Sequence, residues 1–155
     1  MPILIVMNKP YNDDEALRTV VNYVKRVGYG FYGGYAVNPR YAFEEMQLVK
    51  DLWGKDHGRR VRHFILSFSK SEQISYEEAM RLGFSICGYY RNYQSVYGLH
   101  EDTRHPHLHF AVNTVAYTDG KMYAEGVSDW HGLRGYIQGL MPKGYVDFRI
   151  SGVGA

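Results

Sequence analysis

Four of the chain's seven histidines fall in one stretch, His100-Glu-Asp-Thr-Arg-His105-Pro-His107-Leu-His109-Phe110. His107 and His109 are separated by one apolar residue and followed by Phe110, Ala111 and Val112. On a β-strand alternate side chains share a face, so these two imidazoles point the same way, about 6–7 Å apart at the backbone. That spacing lets both bind one ion. His105 would share the face, but it would stand about 13 Å from His109 along a strand. Metal–nitrogen bonds are only about 2.0–2.1 Å long, and Pro106 interrupts the strand before it. The third ligand then comes from elsewhere. His100 ends the preceding strand, and the turn 101–106 can fold it beside His107. His100, His107 and His109 make a three-nitrogen set that leaves positions open for water and substrate, the mark of a catalytic rather than a closed structural metal site. Surface histidines in a loop and strand are the competing reading. Glu101, Asp102 and Asn113 are candidates to orient the imidazoles, with ordinary solvated loop side chains as the alternative for the first two.

The elements that must carry these residues follow from periodicity. Residues 2–7 are apolar throughout and read as a central strand. Asn12 with Glu15 has the pattern of a helix cap, and Leu17, Val20, Val21, Val24 and Val27 recur at helical spacing, which predicts a helix over 13–27. A Gly- and Tyr-rich segment leads to a short strand at 34–37. A second helix fits 42–53, stopped by Gly54. The basic loop Lys55-Asp-His-Gly-Arg-Arg-Val-Arg62 runs into a strand over 63–69. Ser75 with Glu78 opens a helix to about 93. Strands follow at 96–100 and 107–117, with Asp119-Gly120 as a hairpin turn. A last helix fits 129–140, and the Gly-rich tail has no clear pattern. This order predicts one α+β domain over 1–155, with a mainly antiparallel central sheet and helices packed on one or both of its sides.

Composition narrows the partners. A chain of 155 residues, 45% hydrophobic and 22% charged, is long enough to bury a core. A net charge of +2 does not announce a nucleic-acid partner, so such a partner must rest on local patches. The single cysteine, Cys87, excludes a disulfide framework and a Cys-based zinc cluster. The apolar start Met1-Pro-Ile-Leu-Ile-Val-Met7 is too short for a signal sequence or a membrane span. A soluble cytoplasmic protein with no membrane partner is expected. The fifteen tyrosines suit either core edges or the stacking of unpaired bases.

The run from His100 to Asn113, His-x-Asp-Thr-x-x-x-His-hydrophobe-His-hydrophobe-hydrophobe-x-Asn, resembles the motif of the HUH endonucleases. More narrowly it is similar to the relaxase/mobilization nucleases of plasmids and integrative elements. Leu66-Ser67-Phe68 matches a strand of that family, and Asn22-Tyr23-Val24-Lys25-Arg26 matches its early helix with a tyrosine. The resemblance spans about residues 12 to 123 and implies the HUH palm, a ferredoxin- or RRM-like fold.

The resemblance implies an enzyme that cleaves one DNA strand at an origin of transfer. A tyrosine attacks the phosphodiester, stays linked to the 5′ phosphate, and the reverse reaction rejoins the ends. Tyr23 is the nucleophile by that match, with Tyr11, Tyr29 and Tyr32 as alternatives in or near flexible segments. His100, His107 and His109 would hold the divalent metal. Imidazoles suit Mn²⁺ better than Mg²⁺, and Zn²⁺ best on affinity alone. Lys25, Arg26, Arg59, Arg60 and Arg62 are candidates for phosphate contacts, against a solvated basic face. Tyr29, Tyr32 and Tyr35 are candidates for base stacking. Other mobilization proteins are expected partners. Competing readings are a replication initiator or transposase-like nuclease of the same superfamily, an inactive single-stranded DNA-binding module, and a three-histidine enzyme for small molecules. The last requires a closed apolar pocket, whereas a nuclease requires an open groove with basic walls.

Overall fold

The computed structural model describes residues 1–28, 30–101, 105–123, 126–141 and 143–151. Tyr29 and Asp102 therefore lie outside the described residues. The strands are β1 (Ile3–Met7), β2 (Tyr32–Tyr35), β3 (Val61–Ser67), β4 (Ser95–His100), β5 (His107–Asn113) and β6 (Asp147–Ser151). The helices are α1 (Ala16–Lys25), α2 (Ala42–Trp53), α3 (Tyr76–Cys87) and α4 (Val127–Leu140). One sheet runs in the order β2-β4-β5-β3-β1-β6. Its neighbours are antiparallel except β1 and β6, which are parallel. The α+β class and the mainly antiparallel sheet are as the sequence predicts.

Helices cover both faces. On one, Leu17, Val20, Val21 and Val24 of α1 and Ala42 and Met46 of α2 pack on Val61, Val96 and Ala111. On the other, Ala79 and Ile86 of α3 and Leu133 and Ile137 of α4 pack on Phe64, Leu66, Leu108 and Phe110. Strand alternation creates this division: the even positions of β3 and β5 feed one layer and the odd positions the other. Among the described residues no helix is long and apolar enough to cross a membrane.

Several local expectations shift. The first helix begins at Ala16 rather than 13, and Asn12 is not its cap. Residues 13–15 form a turn, in which the Asp13 carboxylate accepts the Glu15 amide N–H at 2.9 Å. That bond takes the place of a cap at Asn12. Ser75 does cap α3, accepting the Glu78 amide N–H at 3.1 Å. β5 ends at Asn113 rather than 117, because the chain there turns into a buried polar network. Asn113 donates to the Met46 carbonyl and to the Gln94 side chain, each at 3.1 Å. Lys50 donates to the Thr114 hydroxyl at 2.9 Å. Asn113 thus ties α2 to the start of β4, and the structure does not bring it to the imidazoles. The tail carries β6, which pairs with β1 from the far end of the chain.

Candidate active site

The antiparallel pairing of β4 and β5 sets His100 directly opposite His107 and Gly98 opposite His109. The strand pairing therefore sets His100 beside the pair, as the sequence predicts, while 102–104 of the connection lie outside the described residues. All three side chains lie on the α1 face. The ring centroids of His100 and His109 are 4.1 Å apart and those of His107 and His109 are 6.0 Å apart.

Gly98 decides how close α1 comes. A Cβ at this position would overlap the Val24 carbonyl oxygen, so only glycine admits this approach of helix backbone to strand. The carbonyls of a helix's last turn need partners from outside the helix. Val24 finds one in His100, whose Nε2–H donates to its carbonyl at 3.1 Å. The end of α1 is thereby fastened to the histidine strand, and Tyr23 comes with it. Its ring centroid lies 5.1 Å from that of His109, 5.4 Å from that of His100 and 6.1 Å from that of His63. Tyr23 remains 40% exposed, and the Arg26 guanidinium lies 4.6 Å from its ring centre.

His63 is the residue that sequence reasoning missed. It sits on β3, on the same face, and its Nε2 is 3.3 Å from His109 Nδ1. The Tyr11 hydroxyl is 3.2 Å from His63 Nδ1. A signal existed, since alternation along β3 puts His63, Ile65 and Ser67 on one face. What the sequence lacks is the pairing of β3 with β5.

Burial lowers the pKa of His63 to about 4, with the charges of His100 and Lys9 adding to the effect. Burial also lowers that of His109, further still, with His100, His63, His107 and Arg26 adding. Both imidazoles are therefore neutral near pH 7 and keep a bare lone pair, the form that a metal ion requires.

The basic residues divide. Arg26 lines an open cleft of about 340 Å³ together with Val27, Phe31, Leu99, His100 and Glu101. Lys25 donates to the Arg40 carbonyl at 3.0 Å and lies 5.3 Å from the Tyr32 ring centre. Arg59 donates to the Lys9 carbonyl, beside Tyr11. Arg60 is held between Asp14 at 3.1 Å and Asp56 at 3.3 Å. Arg62 departs from the expectation of a surface contact. It is 2% exposed, points to the opposite side of the sheet, and pairs with Asp129 at 3.1 Å. Val61 already belongs to β3, so alternation turns Arg62 inward with Phe64 and Leu66. Tyr32 and Tyr35 stand on the edge strand β2, where Tyr35 packs on Phe84.

Residues 11–141 match the family model of the relaxases, in its MobA/VirD2-like nuclease domain. The chain belongs to this relaxase family. Over 58 residues it is 40% identical to Protein MobA of Acidithiobacillus ferrooxidans, which covers 36% of this chain and 14% of that protein. Over 95 residues it is 26% identical to Protein rlx of Staphylococcus aureus, covering 61% of this chain and 28% of that protein. The chain thus spans well under a third of either curated relative. No solved structure gives a significant match.

The relaxase family implies a divalent metal, and the donor set here fits one in its chemistry. It offers three imidazoles on one face beside an open cleft, with that of His109 desolvated and neutral. Among the described residues no three ligating groups are already arranged about one point.

Proposed function

We propose that this chain is a relaxase domain, folded as one unit over 1–155. It would nick and rejoin single-stranded DNA at an origin of transfer, for mobilization of a plasmid or integrative element, with Tyr23 as nucleophile. The observation that carries this reading is the placement of Tyr23, half-exposed on α1, over the histidines of β4 and β5. The open cleft beside His100, walled by Arg26, favours a nuclease over a three-histidine enzyme with a closed apolar pocket.

In this mechanism His100, His107 and His109 would hold a divalent ion, Mg²⁺ or Mn²⁺, with Zn²⁺ able to compete. Such an ion polarises a phosphate and offsets the negative charge that builds on it. The protein's own residues do the rest. Arg26 attracts the phosphate backbone at the mouth of the cleft. Gly98 and the His100–Val24 bond fix the height of Tyr23 above the strand. The Tyr23 oxygen bonds to phosphorus and the bond from phosphorus to the 3′ oxygen breaks. The phenolic proton passes to water and the leaving 3′ oxygen takes up a proton. The resulting 5′-phosphotyrosine keeps the bond energy, so a 3′ hydroxyl can reverse the step and close the strand. Lys25, Arg59 and Arg60 remain candidates for phosphate contacts further along the strand. Arg62, buried against Asp129, drops out of that set.

The test incubates the whole chain with Mn²⁺ and an end-labelled single strand covering the cognate origin. A denaturing gel should show a protein–DNA adduct, and peptide mapping by mass spectrometry should place it on Tyr23. An adduct on Tyr11, Tyr29 or Tyr32 would overturn the nucleophile, and cleavage without any adduct would overturn the mechanism.

The spacing supplied by Gly98 makes a further prediction. Gly98→Ala forces a methyl group against the Val24 carbonyl and lifts α1 from the sheet. A misplacement of about 1 Å can cost about 100-fold in rate. Adduct formation should slow by that order, and overpacking should cost about 1–3 kcal/mol in a denaturant titration. An unchanged adduct rate would show that α1 is positioned by other contacts.

A further inference from the structure

We infer that His63 and Tyr11 form a positioning pair that fixes the proton of His109 on Nδ1 and so leaves its Nε2 lone pair free for the metal. This rests on the reading of His109 as a ligand. The pair lies outside the three-histidine set.

The geometry starts in the sheet register. His109 pairs with Ile65, and His63 pairs with Ala111, so His63 and His109 are diagonal neighbours on one face. Diagonal neighbours across two antiparallel strands lie within reach of long side chains. Here the approach is nitrogen to nitrogen, His63 Nε2 to His109 Nδ1 at 3.3 Å. The other His63 nitrogen meets the Tyr11 hydroxyl at 3.2 Å. Tyr11 is itself pinned. Its carbonyl accepts the Arg60 amide N–H at 2.8 Å, and the Arg59 guanidinium lies 5.9 Å from its ring centre.

Each close contact holds one hydrogen, and neutral imidazole carries one N–H. Two proton orders exist. In the first, Tyr11 donates to His63 Nδ1, His63 Nε2–H donates to His109 Nδ1, and the His109 proton sits on Nε2. His109 then has no lone pair outside the hydrogen bond. In the second, His109 Nδ1–H donates to His63 Nε2, and His63 Nδ1–H donates to the Tyr11 oxygen. His109 Nε2 is then bare. Only the second order lets His109 ligate. Tyr11 is the one member able to end the chain as an acceptor, because a hydroxyl oxygen accepts as readily as it donates. Outer partners of this kind set the tautomer and ring angle of ligating histidines, and their loss costs about 10–100-fold in metal affinity.

The test needs no DNA. Long-range ¹H–¹⁵N correlation spectra of the metal-free chain report the tautomer of each histidine, and calorimetry with Mn²⁺ reports affinity. Wild type should show the Nδ1–H tautomer at His109. His63→Leu should show a mixture of tautomers there and bind Mn²⁺ about 10–100-fold more weakly. His63→Gln keeps an amide oxygen to accept from His109 and should retain both properties, which a merely space-filling role does not predict. If His63→Leu fails to fold, Tyr11→Phe reads the same chain with every ring in place and should shift tautomer and affinity in the same direction. An Nε2–H tautomer at His109 in wild type overturns the inference, as does unchanged Mn²⁺ affinity in a folded His63→Leu. A chain that forms the covalent adduct but shows either result loses this inference alone. A chain that forms no adduct yet shows the expected tautomer and affinity loses the nicking mechanism alone.

Discussion

Tyr23→Phe is expected to form no covalent adduct at all while keeping its fold. The substitution removes a single oxygen, the atom that would carry the phosphate, and leaves the ring against His100 and His109. Tyr23 is 40% exposed, and surface changes of this size move stability by no more than about 0.5 kcal/mol. For a chain of this length that is about 2 °C in thermal midpoint. The pair of measurements is decisive because they separate. A denaturing gel reads the chemistry and a thermal melt reads the fold. Adduct that survives in Tyr23→Phe moves the nucleophile to Tyr11, Tyr29 or Tyr32, and Tyr11→Phe, Tyr29→Phe and Tyr32→Phe then find it. Loss of adduct with a collapsed melt would make the tyrosine a packing residue instead.

Arg62→Ala has the largest expected effect on stability. The guanidinium sits 5.7, 5.4 and 5.8 Å from the ring centres of Tyr90, Tyr123 and Trp130. It also lies 3.1 Å from the Asp129 carboxylate. Removing it leaves a largely enclosed carboxylate without its counter-charge and a void among aromatic rings. Breaking a buried pair from one side costs about 3–5 kcal/mol, or a fall of about 10 °C in midpoint. Adding Asp129→Asn to Arg62→Ala removes the stranded charge and should restore part of the loss, since contacting residues are energetically coupled. A melt within about 1 °C of wild type, with weakened binding to single-stranded DNA, would return Arg62 to the DNA-contacting surface.

These two residues also show what the sequence could and could not reveal. The grouping of the three histidines on one face was legible because strand alternation and one turn are local properties. His100, His107 and His109 needed only the period of a strand and the reach of a short connection. Tyr23 became the candidate nucleophile through the family resemblance, since helical spacing alone does not tell a nucleophile from a packed aromatic. His63 and β6 were not legible, because each depends on which strands lie side by side. β6 lies beside β1, more than a hundred residues earlier, and no local signal encodes that. Arg62 was misread for a smaller reason. Starting the strand at 63 rather than at Val61 leaves it in a basic loop, whereas two more residues of alternation turn it into the core.

The two-sided sheet has a consequence for how this protein can change over generations. The proposed chemistry occupies the layer under α1, while the Arg62–Asp129 pair and its aromatic rings anchor the layer under α3 and α4. Sites well separated and without shared partners contribute independently to stability. On the proposed function, residues that would read a new DNA sequence can therefore drift on one side without unfolding the other. A stability reserve gathered beneath α4 could absorb the cost of altered specificity above β4 and β5.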